Sequence, residues 1–97
     1  MVRHIVLMRW KQEATAEQRA AVIAGLRGLP ADVPEIRRYT VEENVGSDDA
    51  NHDLAIIAEV ADLDGYAAYR DNAAHQALLR DVVRPAVTDR AALQISG

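Results

Sequence analysis

The segment Val2–Trp10 constrains this chain more than any other. Alternation along a strand puts Val2, His4, Val6, Met8 and Trp10 on one face, and Ile5 and Leu7 on the other between Arg3 and Arg9. A strand with apolar centres on both faces belongs in a sheet that is covered on both sides. Yet the chain has 97 residues, length for one domain over residues 1–97, and a core of that size is small. Its hydrophobic share of 49% contains eighteen alanines and no phenylalanine, so few large side chains carry the burial. Chains of this kind recover missing burial by pairing with a second copy, and a homodimer is expected.

The remaining elements follow from spacing. Thr15 with Gln18 reads as a capping box, and Val22, Ile23, Leu26 and Leu29 recur at helical intervals until Gly28 and Pro30. Ile36 to Glu43 alternates as a half-exposed strand, with Arg37, Tyr39 and Val41 on one side. A polar loop through Gly46 and Asp48 leads to a third strand over His52 to Val60. Asp62 caps a short helix bearing Leu63, Tyr66 and Tyr69; Asn72 restarts a helix whose stripe is His75, Leu78, Leu79, Val82 and Val83, ending at Pro85. Ala91, Leu93 and Ile95 alternate as a last strand. The order β-α-β-β-α-β predicts an α+β fold of ferredoxin-like type, an antiparallel sheet with helices on one face.

Charge and composition exclude several functions. Eleven basic against fifteen acidic residues give a net charge of −4 with no basic run, which argues against nucleic-acid binding. There is no cysteine, so thiolate chemistry and Cys-ligated metals are out, and a cytoplasmic setting fits. No apolar run is long enough to span a membrane, and no signal-peptide cleavage site follows the first residues. Gly25, Gly28, Gly46 and Gly65 form no phosphate-binding motif.

The three histidines hold the chemical interest. His4 and His52 share the strand face that looks towards the helices, on strands that are neighbours at the sheet centre, so their rings are expected to approach each other. His75 and Tyr69 lie on the apolar stripes of the broken helix. All four are expected around one pocket, where imidazole and phenol serve as base, acid or hydrogen-bond donor. Tyr66 reads as core packing, and Trp10 as an interface or lid residue. No metal site is expected: Asp53 points away from His52, and no HxH or HExxH spacing exists. The loop Ser47-Asp48-Asp49 reads as solvated charge.

Together Val2-Arg3-His4-Ile5-Val6-Leu7-Met8-Arg9-Trp10-Lys11, Thr15-Ala16-Glu17-Gln18, Asn51-His52-Asp53-Leu54-Ala55, and Tyr69 with Ala74-His75-Gln76 resemble the stress-responsive A/B barrel domain (Dabb) family over essentially the whole chain. The resemblance implies a dimeric α+β barrel with two sheets facing each other and a pocket in each subunit. Its best-understood enzymes are polyketide cyclases of the olivetolic acid cyclase type, which close a linear polyketide by aldol condensation. By that likeness Tyr69 and His75 are the catalytic acid–base pair, His4 and His52 bind substrate, and neither cofactor nor metal is implied. The pocket tyrosine that the cyclases carry on the first helix corresponds to Leu26, and the proline and first histidine of their His-Pro-Ala-His motif are missing. Two functions therefore stand side by side: a cofactor-free cyclase or isomerase acting on a carbonyl compound, and a non-catalytic homodimer that binds a small apolar molecule or serves in stress response.

Overall fold

A computed structural model describes residues 1–97. Strand β1 (Val2–Trp10) is followed by helix α1 (Ala16–Gly28), strands β2 (Arg38–Glu43) and β3 (Leu54–Val60), helices α2 (Leu63–Asp71) and α3 (Ala73–Leu78), and strand β4 (Val87–Ser96). A 3₁₀ turn (Leu29–Ala31) extends α1, and a π-helical turn (Leu79–Val83) extends α3. The sheet is antiparallel in the order β2-β3-β1-β4, with the helices on one face. This is the ferredoxin-like α+β fold that the element order predicts.

Local chemistry starts the helices where the sequence places them. Thr15 and Gln18 form a reciprocal capping box: the Gln18 N–H donates to Thr15 Oγ1 at 3.1 Å, and the Thr15 N–H donates to Gln18 Oε1 at 2.9 Å. The Gly65 N–H donates to Asp62 Oδ1 at 2.8 Å at the start of α2. Gly25 lets α1 lie against the far end of α3, since a Cβ there would meet Leu78 Cδ1 at 2.6 Å.

The inner sheet face carries the core. Val6, Val41, Leu54, Ile56 and Val60 meet Val22, Leu26, Leu29 and Val33 from α1 and the turn after it, with Val83 and Ala86 closing the other end. Ile5, Leu7, Ile57, Leu93 and Ile95 occupy the outer face, with Leu93 still 52% exposed. Strand β1 is thus apolar on both sides, as its alternation predicts.

Strand bounds differ from the expected ones. β2 and β3 each begin two residues late, at Arg38 and Leu54, because Ile36 is held in a turn by its N–H to the Val33 carbonyl and His52 precedes the regular ladder. β4 starts earlier than Ala91 because β1 pairs with it along its whole length, with a bulge opposite Arg9 and Trp10. No helix is long and apolar enough to cross a membrane.

Candidate active site

Between α2, α3, the π-helical turn and the β1–β4 half of the sheet lies a cavity of about 320 Å³, within the range that holds small ligands. Its apolar wall is Met8, Leu79, Val83 and Val87. His4, Tyr66, Tyr69 and His75 supply the rings, and Arg70, Gln76, Arg84, Thr88, Asp89 and Arg90 supply the remaining polar groups. A narrow recess beneath the same rings is closed by Val6, Leu26 and Ile56, so Leu26 offers a hydrocarbon surface there.

The rings touch in a chain, at tilted and edge-on angles. Tyr69 and His75 have centroids 4.5 Å apart, His4 and Tyr69 5.5 Å, and His4 and Tyr66 4.8 Å. The joint between α2 and α3 sets His75 in place: Asn72 Oδ1 accepts from the His75 backbone N–H at 3.1 Å. His75 Nδ1 lies 3.1 Å from the Arg70 carbonyl oxygen. A carbonyl can only accept, so Nδ1 carries the proton and Nε2 keeps its lone pair. Burial lowers the His75 pKa, opposed by that hydrogen bond and reinforced by the Arg90 charge, which favours the neutral imidazole.

His4 is buried on β1, and Gln94 of β4 donates from Nε2 to its Nδ1 at 2.9 Å, so the proton of the neutral ring sits on Nε2. Burial first, then the Arg90 charge, brings its pKa from 6.5 down to about 4. Burial pushes the Tyr69 phenol up, against the pull of the Tyr39 hydroxyl and of Arg90, so Tyr69 keeps its proton at neutral pH. Tyr39 reaches this group from β2; its own hydroxyl is buried beside that of Tyr69 without an aligned hydrogen-bond partner.

Three of the four expected residues therefore converge, and His52 does not. β1 pairs His4 with Ala58, six positions along from His52, which is about 20 Å of strand. His52 precedes β3 and turns towards β4, with Nε2 3.3 Å from Asp89 Oδ2 but not aligned for a hydrogen bond. It lines a separate, more open depression with Leu7, Glu42 and Asn51. The expected approach of His4 and His52 is thus corrected: strand parity holds only where the ladder exists. Tyr66, read as core packing, does pack against the core and also forms a wall of the cavity. Alternation in β4 does not reveal Arg90 and Gln94, because the strand has few apolar residues, although their register opposite Met8 and His4 puts them on the inner face. Trp10 is half-buried against the core, with the Arg19 guanidinium 5.7 Å from its ring centroid. No group of three or more His, Asp or Glu side chains is arranged to hold a metal ion.

Sheet, helices and ring-lined cavity define a small α+β protein of ferredoxin-like class with ionisable groups gathered between sheet and helices. The chain belongs to the stress responsive A/B barrel domain family, whose model matches residues 2–96. It is similar to a dimeric ferredoxin-like protein of unknown function from Thermobifida fusca, with 36% identity and a TM-score of 0.88 over 99% of this chain and 90% of that one. A Dabb family protein from Mesorhizobium loti shares the fold at 18% identity and a TM-score of 0.83, covering 99% of this chain and 95% of that one. A hydroxynitrile lyase from Passiflora edulis does so at 20% identity and a TM-score of 0.84, covering 97% and 90%. No curated protein sequence matches the chain.

Proposed function

We propose that this protein is a cofactor-free acid–base enzyme that acts on a carbonyl compound, with His75 as base and Tyr69 as acid. The observation that carries the reading is the hydrogen bond from His75 Nδ1 to the Arg70 carbonyl, which leaves Nε2 with a free lone pair beside the Tyr69 ring. His75 Nε2 takes a proton from the carbon next to the carbonyl; the C–H electron pair moves into the enolate, and its oxygen accepts a hydrogen bond from the Tyr69 hydroxyl. The environment supports both roles, because burial favours the neutral imidazole and the neutral phenol alike. His4, wedged between Tyr66 and Tyr69, would orient the substrate. The same fold in a hydroxynitrile lyase is consistent with lyase or aldol chemistry in this pocket.

In this reading the working unit is one domain paired with a second copy through the outer sheet face. That face holds Ile5, Leu7, Ile57, Leu93 and Ile95, and similar proteins are described as dimeric.

The test is deuterium exchange at the carbon next to a ketone, followed by NMR in D₂O over a panel of aryl ketones, β-diketones and keto acids. Accelerated exchange is expected, reduced about 10²–10⁴-fold in His75→Ala and less in Tyr69→Phe. It should persist after chelator treatment. No acceleration with any ketone, or full rate in His75→Ala, would return the protein to the alternative of a non-catalytic binding or stress-response dimer.

A further inference from the structure

The cavity has a charge balance opposite to that of the chain. The protein carries a net charge of −4, yet the cavity wall holds Arg70, Arg84 and Arg90 against one carboxylate, Asp89. That carboxylate is already engaged, 3.7 Å from Arg9 Nε and 3.3 Å from His52 Nε2. Arg70 is engaged as well, with its guanidinium on the neighbouring Asp71 at 2.9 and 3.0 Å. The other ion pairs join Arg38 to Glu59 and Arg80 to Asp81, so neither Arg84 nor Arg90 has an acidic partner. Arg90 is placed by the sheet: opposite Met8 in the β1–β4 ladder, it rises from the inner face beside the ring cluster.

We infer that Arg90, assisted by Arg84, binds a carboxylate on the substrate, so that the pocket takes keto acids rather than neutral ketones. A guanidinium presents its donors as a planar fork that matches a carboxylate with two parallel hydrogen bonds. The apolar wall of Met8, Leu79 and Val87 then receives the hydrocarbon part, and the carbonyl faces Tyr69 and His75. Arg90 holds its charge near both groups, so a bound carboxylate also neutralises the one cation that opposes protonation of His75. The inference rests on the acid–base reading for the identity of the carbonyl, but the charge preference is a property of binding.

The experiment is an NMR titration of the whole protein with two probes that share ring and ketone, 4-acetylbenzoate and 4-acetylbenzamide. The acid is expected to bind about tenfold tighter than the amide, the scale of one charge-assisted contact. Arg90→Gln should bring the acid's affinity down to the amide's, with Arg84→Gln giving a smaller loss. Both side chains are exposed, and an unchanged circular dichroism spectrum verifies folding. Equal binding of the two probes, binding of neither, or a preference that survives in both variants would overturn the inference. Preference without deuterium exchange would sink the acid–base reading alone. Exchange without preference would sink the carboxylate reading alone.

Discussion

The half of the inner sheet face covered by α1 and the half that runs out to β4 follow the same alternation and are furnished differently. Under α1, Val22 and Val33 have no exposed surface, and Leu26, Leu54 and Ile56 almost none. Towards β4, the positions equivalent in parity are His4, Arg90 and Gln94, and the space above them is open enough to form the cavity. The first half is filled with hydrocarbon, which resists change in volume. The second is hollow and lined with groups that titrate or donate. Packed hydrocarbon is concentrated in one half, and ionisable side chains in the other.

The sharpest way to break that contrast is Leu54→Ala. In the filled half it should cost about 2–5 kcal/mol in urea unfolding, because the surrounding side chains collapse only partly into the gap. A loss below about 1 kcal/mol would show that this half has slack of its own.

A second expectation sharpens the hollow half. His4 titrates at about 4 in the folded chain against 6.5 in the unfolded one, and His75 is shifted in the same direction. The unfolded chain therefore binds these protons first. The stabilisation is complete above pH 6.5 and declines as the pH falls towards 4, by on the order of 3 kcal/mol for His4. Urea unfolding at pH 7 and 4.5 reads it, and His4→Phe should flatten the decline. A wild-type stability that is level over this range would contradict the burial assigned to the ring.

The smallest effect concerns Tyr39, which sits at the border of the two halves. Its buried hydroxyl has no aligned partner, so Tyr39→Phe should leave stability within about 1 kcal/mol or raise it. The same change removes a group that lowers the Tyr69 pKa, so the Tyr69 phenol, followed by NMR of its own ring, should ionise at higher pH. Ionisation moving to lower pH would mean that Tyr39 does not face Tyr69.

The filled half was the more legible one in sequence. Val22, Leu26, Leu54 and Ile56 repeat at the helical and strand periods, and the caps at Thr15, Asp62 and Asn72 fix where each helix starts. His4, Tyr69 and His75 were legible for the same reason, since each lies inside a regular element. His52 was not, because it stands two residues before the ladder begins, where its ring turns towards Asp89 of β4 instead of following the strand parity. Arg90 was invisible because β4 is mostly exposed and its pattern is set by β1 rather than by its own composition. The cavity itself follows from how far the α3 end stands off β4, which no local period encodes.

The Asn72 amide has a second attachment besides the cap it gives to His75. Its Nδ2 donates to the Asp32 carbonyl at 3.3 Å, in the turn that follows α1. One side chain thus ties the residue assigned as base to a loop forty positions earlier in the chain. Loops of that kind ordinarily accept insertions with little penalty. Here Leu29 and Val33 of the same turn are buried in the core, so a change in its length would disturb the filled half of the molecule as well as the helix joint that carries His75. For anyone re-engineering the pocket, that turn is a place to leave alone: through one amide it joins the packing of the hydrocarbon core to the joint from which the imidazole projects.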